Sequence, residues 1–154
     1  MPILTQAQKT ALKNDINGRA NLASAVAAQD WPLISNFYNT TASPTVNVWN
    51  PFMTVAQINS AINWTNFVAQ TVQQLLAFDQ MTKTGVVDAS NANVRGGFSK
   101  VLDSASATSV QAAAQKQATY FEGLYAVSDP PANDTPFYGQ LMDASTVQDA
   151  MLHG

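Results

Sequence analysis

The residues able to carry catalysis are few and widely scattered. His153 is the one histidine and lies next to the C-terminus, where a fixed geometry is hard to hold. Cysteine is absent, so thiolate chemistry, disulfides and Cys-ligated metal are excluded. A Ser-His-Asp arrangement has no internal histidine to use. Glu122 is the sole glutamate and, with an aspartate, is the candidate for carboxylate-pair chemistry on a sugar or peptidoglycan. Arg95-Gly96-Gly97 lacks the Lys-Ser/Thr that completes a phosphate-binding loop. No His, Asp or Glu spacing suits zinc, and no Asp-rich loop suits calcium. This scarcity of general acids and bases leads to the expectation of a non-enzyme with no catalytic residues, no cofactor and no metal.

Whatever these residues do, the chain must position them with little charge. Of 154 residues 46% are apolar but only 11% are charged, against about 25% in ordinary soluble domains. Asn, Gln, Ser and Thr carry the polar surface, which lowers the cost of covering it. Seven basic residues and a net charge of -3 argue against a dedicated nucleic-acid binder, which needs clustered cations. The opening residues carry no signal-peptide pattern, and no apolar run approaches the length of a membrane span. A soluble protein made in the cytoplasm is expected.

Period and punctuation predict helices nearly throughout. Thr5-x-x-Gln8, Thr54-x-x-Gln57 and Thr108-x-x-Gln111 read as capping boxes, and Asp30 before Trp31-Pro32 as an N-cap. The longest helix is expected over about 65–83, and another from 108 to about 124. Between Asn39 and Met53 the helical period disappears and prolines bracket the stretch, which reads as an extended crossing segment. Trp31, Trp49 and Trp64 read as rings closing the ends of a small core. The expected fold is all-α, a five- to six-helix bundle with that crossing segment at about 39–53.

After Val127 the composition changes. Ser128-Asp129-Pro130-Pro131 and Thr135-Pro136 stiffen the chain, giving a helical body at 1–127 and a C-terminal extension at 128–154. Up to residue 116 there are seven basic and five acidic residues, net +2, and beyond it five acids alone, net -5. An acidic, proline-stiffened arm with aromatic anchors suits partner docking, with Phe137, Tyr138, Leu141, Met142, Val147, Met151 and Leu152 as the candidate contacts. The alternative is a tail folded back on its own body.

Tyr38-Asn39-Thr40-Thr41-Ala42-Ser43-Pro44, continuing to Val48-Trp49, resembles a group of small structural proteins of tailed bacteriophages. Further stretches carry the resemblance: Leu4-Thr5 through Ile16, Ile62-Asn63-Trp64, Met81-Thr82 to Gly85, Asp88 to Gly97, and Lys116 to Thr119 with Glu122 and Leu124. Together they span most of residues 4–126, and the chain departs from the pattern after Glu122. The resemblance implies a virion protein of the phage neck, most like a head-to-tail connector adaptor. Such an adaptor would form a ring, commonly of twelve copies, against the portal protein and a downstream tail or neck protein. DNA would be passing cargo, and no membrane is involved. A tail terminator or other head-completion protein is the alternative within that class. A helical binding module outside the virion is the alternative from another.

Overall fold

The computed structural model describes residues 2–154. The chain opens with α1 (Gln6–Gly18), a single 3-10 turn, α2 (Ala23–Ala28) and α3 (Trp31–Tyr38), then β1 (Asn47–Trp49) and β2 (Met53–Thr54). Next come α4 (Val55–Ala61), α5 (Trp64–Phe67), α6 (Val72–Thr82), β3 (Val86–Val87), α7 (Ala92–Val101) and α8 (Ser104–Ala113). It ends with β4 (Gln115–Gln117), α9 (Tyr120–Leu124), β5 (Val127–Asp129), β6 (Ala132–Asp134) and α10 (Ala144–His153).

The all-α expectation is therefore wrong. About 57% of the chain is helix and 12% strand, with a four-stranded mixed sheet and a two-stranded one. Two causes account for the error. The strands are two or three residues long, too short for alternation to register. They are also weakly marked: β4 reads Gln-Lys-Gln, and β5 and β6 form an antiparallel hairpin around Pro130-Pro131, the prolines that read as a stiff arm. Strand order in the larger sheet is β4-β1-β6-β5, with β1 and β6 parallel at Val48 and Asn133. The crossing segment thus contributes β1 to this sheet and β2 to the smaller one, where Met53 faces Val87.

The helices are also shorter and more numerous than predicted. Thr71 caps α6 by accepting from Gln74 N–H while the Gln74 side chain returns to the Thr71 N–H, so the expected 65–83 helix breaks into α5 and α6. Thr108 starts nothing. Asp103 caps α8, and the Thr108 hydroxyl donates back to Ser104 O inside that helix. The boxes at Thr5 and Thr54 and the Asp30 cap form as the sequence predicts.

Two compact units result. The first comprises 1–48 and 117–154, the second 49–116. Residues 128–154 thus lie in the same unit as the N-terminal helices, and α10 packs on α1 and α3. The core of this unit gathers Leu12, Ile16, Leu22, Ile34, Tyr38, Phe121, Phe137, Met142, Val147 and Ala150. Long-range hydrogen bonds tie its two chain segments. The Asn39 side chain both donates to Met142 O and accepts from Met142 N–H, each at 2.8 Å, and Tyr125 Oη donates to Gln8 O at 2.7 Å. Burial keeps the Tyr125 phenol protonated, raising it above the usual tyrosine range. Tyr125→Phe leaves Gln8 O without this donor and is expected to cost about 0.5 to 1.5 kcal/mol, read from urea unfolding curves.

The second unit is built on Trp49, Met53, Ile58, Phe67, Phe78, Phe98 and Val110, with Phe67 and Phe78 ring centroids 4.9 Å apart. The Arg95 guanidinium lies 4.2 Å above the Trp49 ring and donates to Ala89 O and Ser90 O. In α7, Gly97 permits close approach to α6: a Cβ there would come within 2.8 Å of Met81 Cε. Gly96 instead faces open space, and nothing lies within 4 Å of a Cβ built on it. Gly96→Ala is therefore expected to stabilise the fold by up to about 1 kcal/mol, seen as a raised thermal midpoint. No change or a decrease would show that α7 needs flexibility at that position.

Candidate functional site

The groove of interest lies in the first unit, about 190 Å³, between α1, α9 and the loop at 42–46. Asp15, Arg19, Ala42, Ser43, Pro44, Val46, Tyr120 and Leu124 are on its walls. Its chemistry begins with an i,i+4 spacing on α1. One helical turn brings the Asp15 carboxylate to the Arg19 guanidinium, Nε to Oδ2 at 2.6 Å and Nη2 to Oδ1 at 3.3 Å. Tyr38 from α3 donates its phenol to the same Oδ2. Burial first, and then this bond to Asp15, push the Tyr38 phenol far above its ordinary range, so it remains a donor. Burial acts most strongly on Arg19 and would lower it, but the hydrogen bonds and charge interactions with Asp15 and Tyr38 together outweigh that and raise it.

Aromatic faces complete the setting of Arg19. Its guanidinium carbon lies 4.7 Å from the Tyr120 ring centroid, 5.1 Å from Phe37 and 5.6 Å from Tyr38. Phe37 and Tyr120 are themselves stacked at 4.5 Å. Tyr120 Oη donates to Ser43 O and so fastens the 42–46 loop, the same Ala42-Ser43-Pro44 stretch that carries part of the phage resemblance. Both Asp15 oxygens are engaged by Arg19 and Tyr38, which leaves the arrangement suited to contact rather than proton transfer.

A second carboxylate is buried deeper. Glu122 is 1% exposed and completes a capping box at Thr119, its Oε2 accepting from Thr119 N–H at 2.9 Å. Its Oε1 accepts from Gly139 N–H at 2.6 Å, and its backbone carbonyl accepts from the Thr135 hydroxyl. It joins α9 to the segment that follows β6. Among the described residues there is no group of three or more His, Cys, Asp or Glu able to hold a metal ion.

The seven candidate contacts of the C-terminal segment separate. Phe137, Met142 and Val147 are in the core, and Phe137 lies 4.8 Å from Phe121 and 5.0 Å from Tyr125. Tyr138 and Met151 are half-buried, with the Tyr138 phenol raised by burial and by the nearby Glu122 charge. Leu141 and Leu152 are open, at 66% and 63% exposure. These two are the members of the set with most of their surface free to meet another chain.

The Asp15, Arg19, Tyr38 and Tyr120 cluster was not singled out from sequence. Asp15-x-x-x-Arg19 was the available signal, an i,i+4 pair of opposite charge, but nothing local places two tyrosines and a loop around it.

At the far end of this unit, Lys9 Nζ meets Asp149 Oδ2 at 2.7 Å, and His153 Nδ1 lies 2.9 Å from Asp149 Oδ1. The hydrogen bonds from Lys9 and His153 lower Asp149 below its ordinary 3.8. Asp103 is lowered by Ser106, and Asp143 is lowered by Ser145 and Thr146 against the opposing effect of burial. Folded values below unfolded ones mean stabilisation that is complete above about pH 4 and lost as pH falls through the folded values. Acid titration is therefore expected to loosen the starts of α8 and α10 below pH 3.8, read as amide exchange over 104–113 and 144–153. Unchanged protection down to pH 2 would refute this.

No helix among the described residues is long and apolar enough to cross a membrane. In comparisons with known proteins, no family model matches the chain, and neither does any curated protein or solved structure.

Proposed function

We propose that the chain is a non-enzymatic structural component of a tailed-phage virion, a ring-forming subunit of the neck between portal and tail. The observation that carries this reading is surface chemistry. Large apolar side chains stand in solvent on both units, among them Val68 at 71%, Val72 and Val127 at 67%, Leu141 at 66% and Phe52 at 65%. A chain with 11% charged residues gains from covering such surface and loses little in desolvating what surrounds it. The motif resemblance over 4–126 supplies the setting.

A twelve-copy ring would bury two flanks of each subunit through heterologous contacts, with DNA passing the lumen unread. Mass spectrometry of purified particles is the test. The expected result is this chain at a copy number close to that of the portal. Particles lacking it overturn the reading.

A second reading is favoured by the groove at Asp15, Arg19 and Tyr120, which would suit a binding module outside the virion. Its absence from particles, together with ligand-dependent shifts of the Tyr120 resonances, would select that alternative.

A further inference from the structure

A planar guanidinium carries five N–H donors. At Arg19 the Asp15 carboxylate takes two of them, along the edge formed by Nε and Nη2. Tyr38 joins at Asp15 Oδ2, the oxygen held by Nε, and its own oxygen can accept at most one more. At least two donors are therefore left over, and the edge formed by Nη1 and Nη2 is the one Asp15 does not hold. Arg19 lines the groove with its side chain 27% exposed, and the Tyr120 ring and Asp15 hold it in place. Ser43, also on the wall, gives its carbonyl to Tyr120 Oη, while its N–H and hydroxyl bond to none of the described residues. Asp15, the one carboxylate on the wall, is spent: Oδ2 accepts from Arg19 and Tyr38, and Oδ1 from Arg19. The unused capacity of the groove is thus in donors, set beside the apolar side chains of Pro44, Val46 and Leu124.

Two parallel N–H groups on a guanidinium edge match the two oxygens of a carboxylate. Size narrows the ligand further. At about 190 Å³ the groove is smaller than the roughly 300–1,000 Å³ of small-molecule sites, and it opens to solvent at Arg19 and Ser43. It has room for one residue, with the rest of the ligand outside. A chain end is where a polypeptide carries a carboxylate directly beside an apolar side chain. We infer that the groove takes the carboxyl-terminal residue of a partner polypeptide, an apolar one. Its carboxylate sits on the open edge of Arg19 and its side chain lies against Pro44, Val46 and Leu124. The inference rests on the groove reading above and names its ligand, and it is the same whether the partner is a neighbour in a virion or a protein outside one.

The probe is N-acetyl-Gly-Gly-Leu with a free carboxylate, titrated into the full chain labelled with nitrogen-15. Saturable shifts of the Arg19 Nε–H, Ser43 and Tyr120 resonances are expected in the millimolar range. The same peptide amidated at its end, and N-acetyl-Gly-Gly-Gly with a free carboxylate, should each bind at least tenfold more weakly. Arg19→Lys keeps the charge but has no second edge, and Ser43→Asp puts a carboxylate at an exposed position on the wall. Each should weaken the leucine peptide at least tenfold with circular dichroism unchanged. If Arg19→Lys unfolds the chain, Ser43→Asp still decides, because its side chain has no role in the core. Equal binding of acid and amide overturns the inference. So do the absence of saturable shifts, shifts at Lys9 and Lys13 instead of the groove, and binding of N-acetyl-leucine that the longer peptide does not match. Peptide binding by a chain that is present in virions removes only the binding-module alternative, whereas groove binding indifferent to the carboxylate removes only this inference.

Discussion

Replacing Glu122 by alanine is expected to lower the unfolding free energy by about 2 to 5 kcal/mol. Two backbone donors, Thr119 N–H and Gly139 N–H, lose their acceptor in a region where the carboxylate is 1% exposed, and each unmet buried donor costs about 1 to 3 kcal/mol. The cap of α9 is lost at the same time. Glu122→Gln keeps one oxygen acceptor and turns an amide N–H toward the other donor, so its cost should be smaller, about 1 to 3 kcal/mol. Urea unfolding gives both numbers, and hydrogen exchange should show the Gly139 region opening first. An alanine variant within about 0.5 kcal/mol of the parent would refute the structural role assigned to this carboxylate. The same pair of variants addresses peptidoglycan cleavage, the role that a sole glutamate raises. If Glu122 is a clamp, both lose stability in this order and neither alters a lytic activity.

Trp49→Ala is the second large effect, about 3 to 5 kcal/mol. The ring is fully buried, and its removal leaves a cavity in the second unit. It also strips one face from the Arg95 guanidinium, 4.2 Å away, while Arg95 remains bound to Ala89 O and Ser90 O. Trp49→Phe should recover much of the loss because it restores an aromatic face under the cation. Equilibrium unfolding of the three proteins tests this. Equal losses for alanine and phenylalanine would mean that the indole shape, not the stack, is what matters. Unfolding of the alanine variant should also begin in 49–116, seen as early loss of amide protection there.

Much of the helical structure was legible because caps are local. Thr5 with Gln8, Thr54 with Gln57, and Asp30 with Trp31-Pro32 announce their helices within four residues. The same rule read too selectively hid two boundaries. Thr71-x-x-Gln74 and Thr119-x-x-Glu122 are equally good boxes, but each lay inside a longer apolar pattern that suggested continuous helix. Strand pairing was not legible, since β1 meets β6 across 85 residues and neither strand exceeds three. The groove shared that obstacle. Asp15 and Arg19 advertise each other on α1, but Tyr38 and Tyr120 reach them only through tertiary structure.

The order of the two units along the chain has a consequence for how the protein is made. Residues 49–116 form one uninterrupted stretch whose ends meet, Asn50 N–H donating to Ala114 O at 2.8 Å. The stretch can therefore fold as soon as it clears the ribosome. Its host cannot, because α1 and α3 wait for α10, which is made after the inserted unit, to cover Leu12, Ile16 and Ile34. During synthesis the N-terminal helices are left holding an open apolar face while the inserted unit is already closed. Truncation before α10 should thus produce a half-folded chain, which makes synthesis of α10 the step that commits the first unit to its fold.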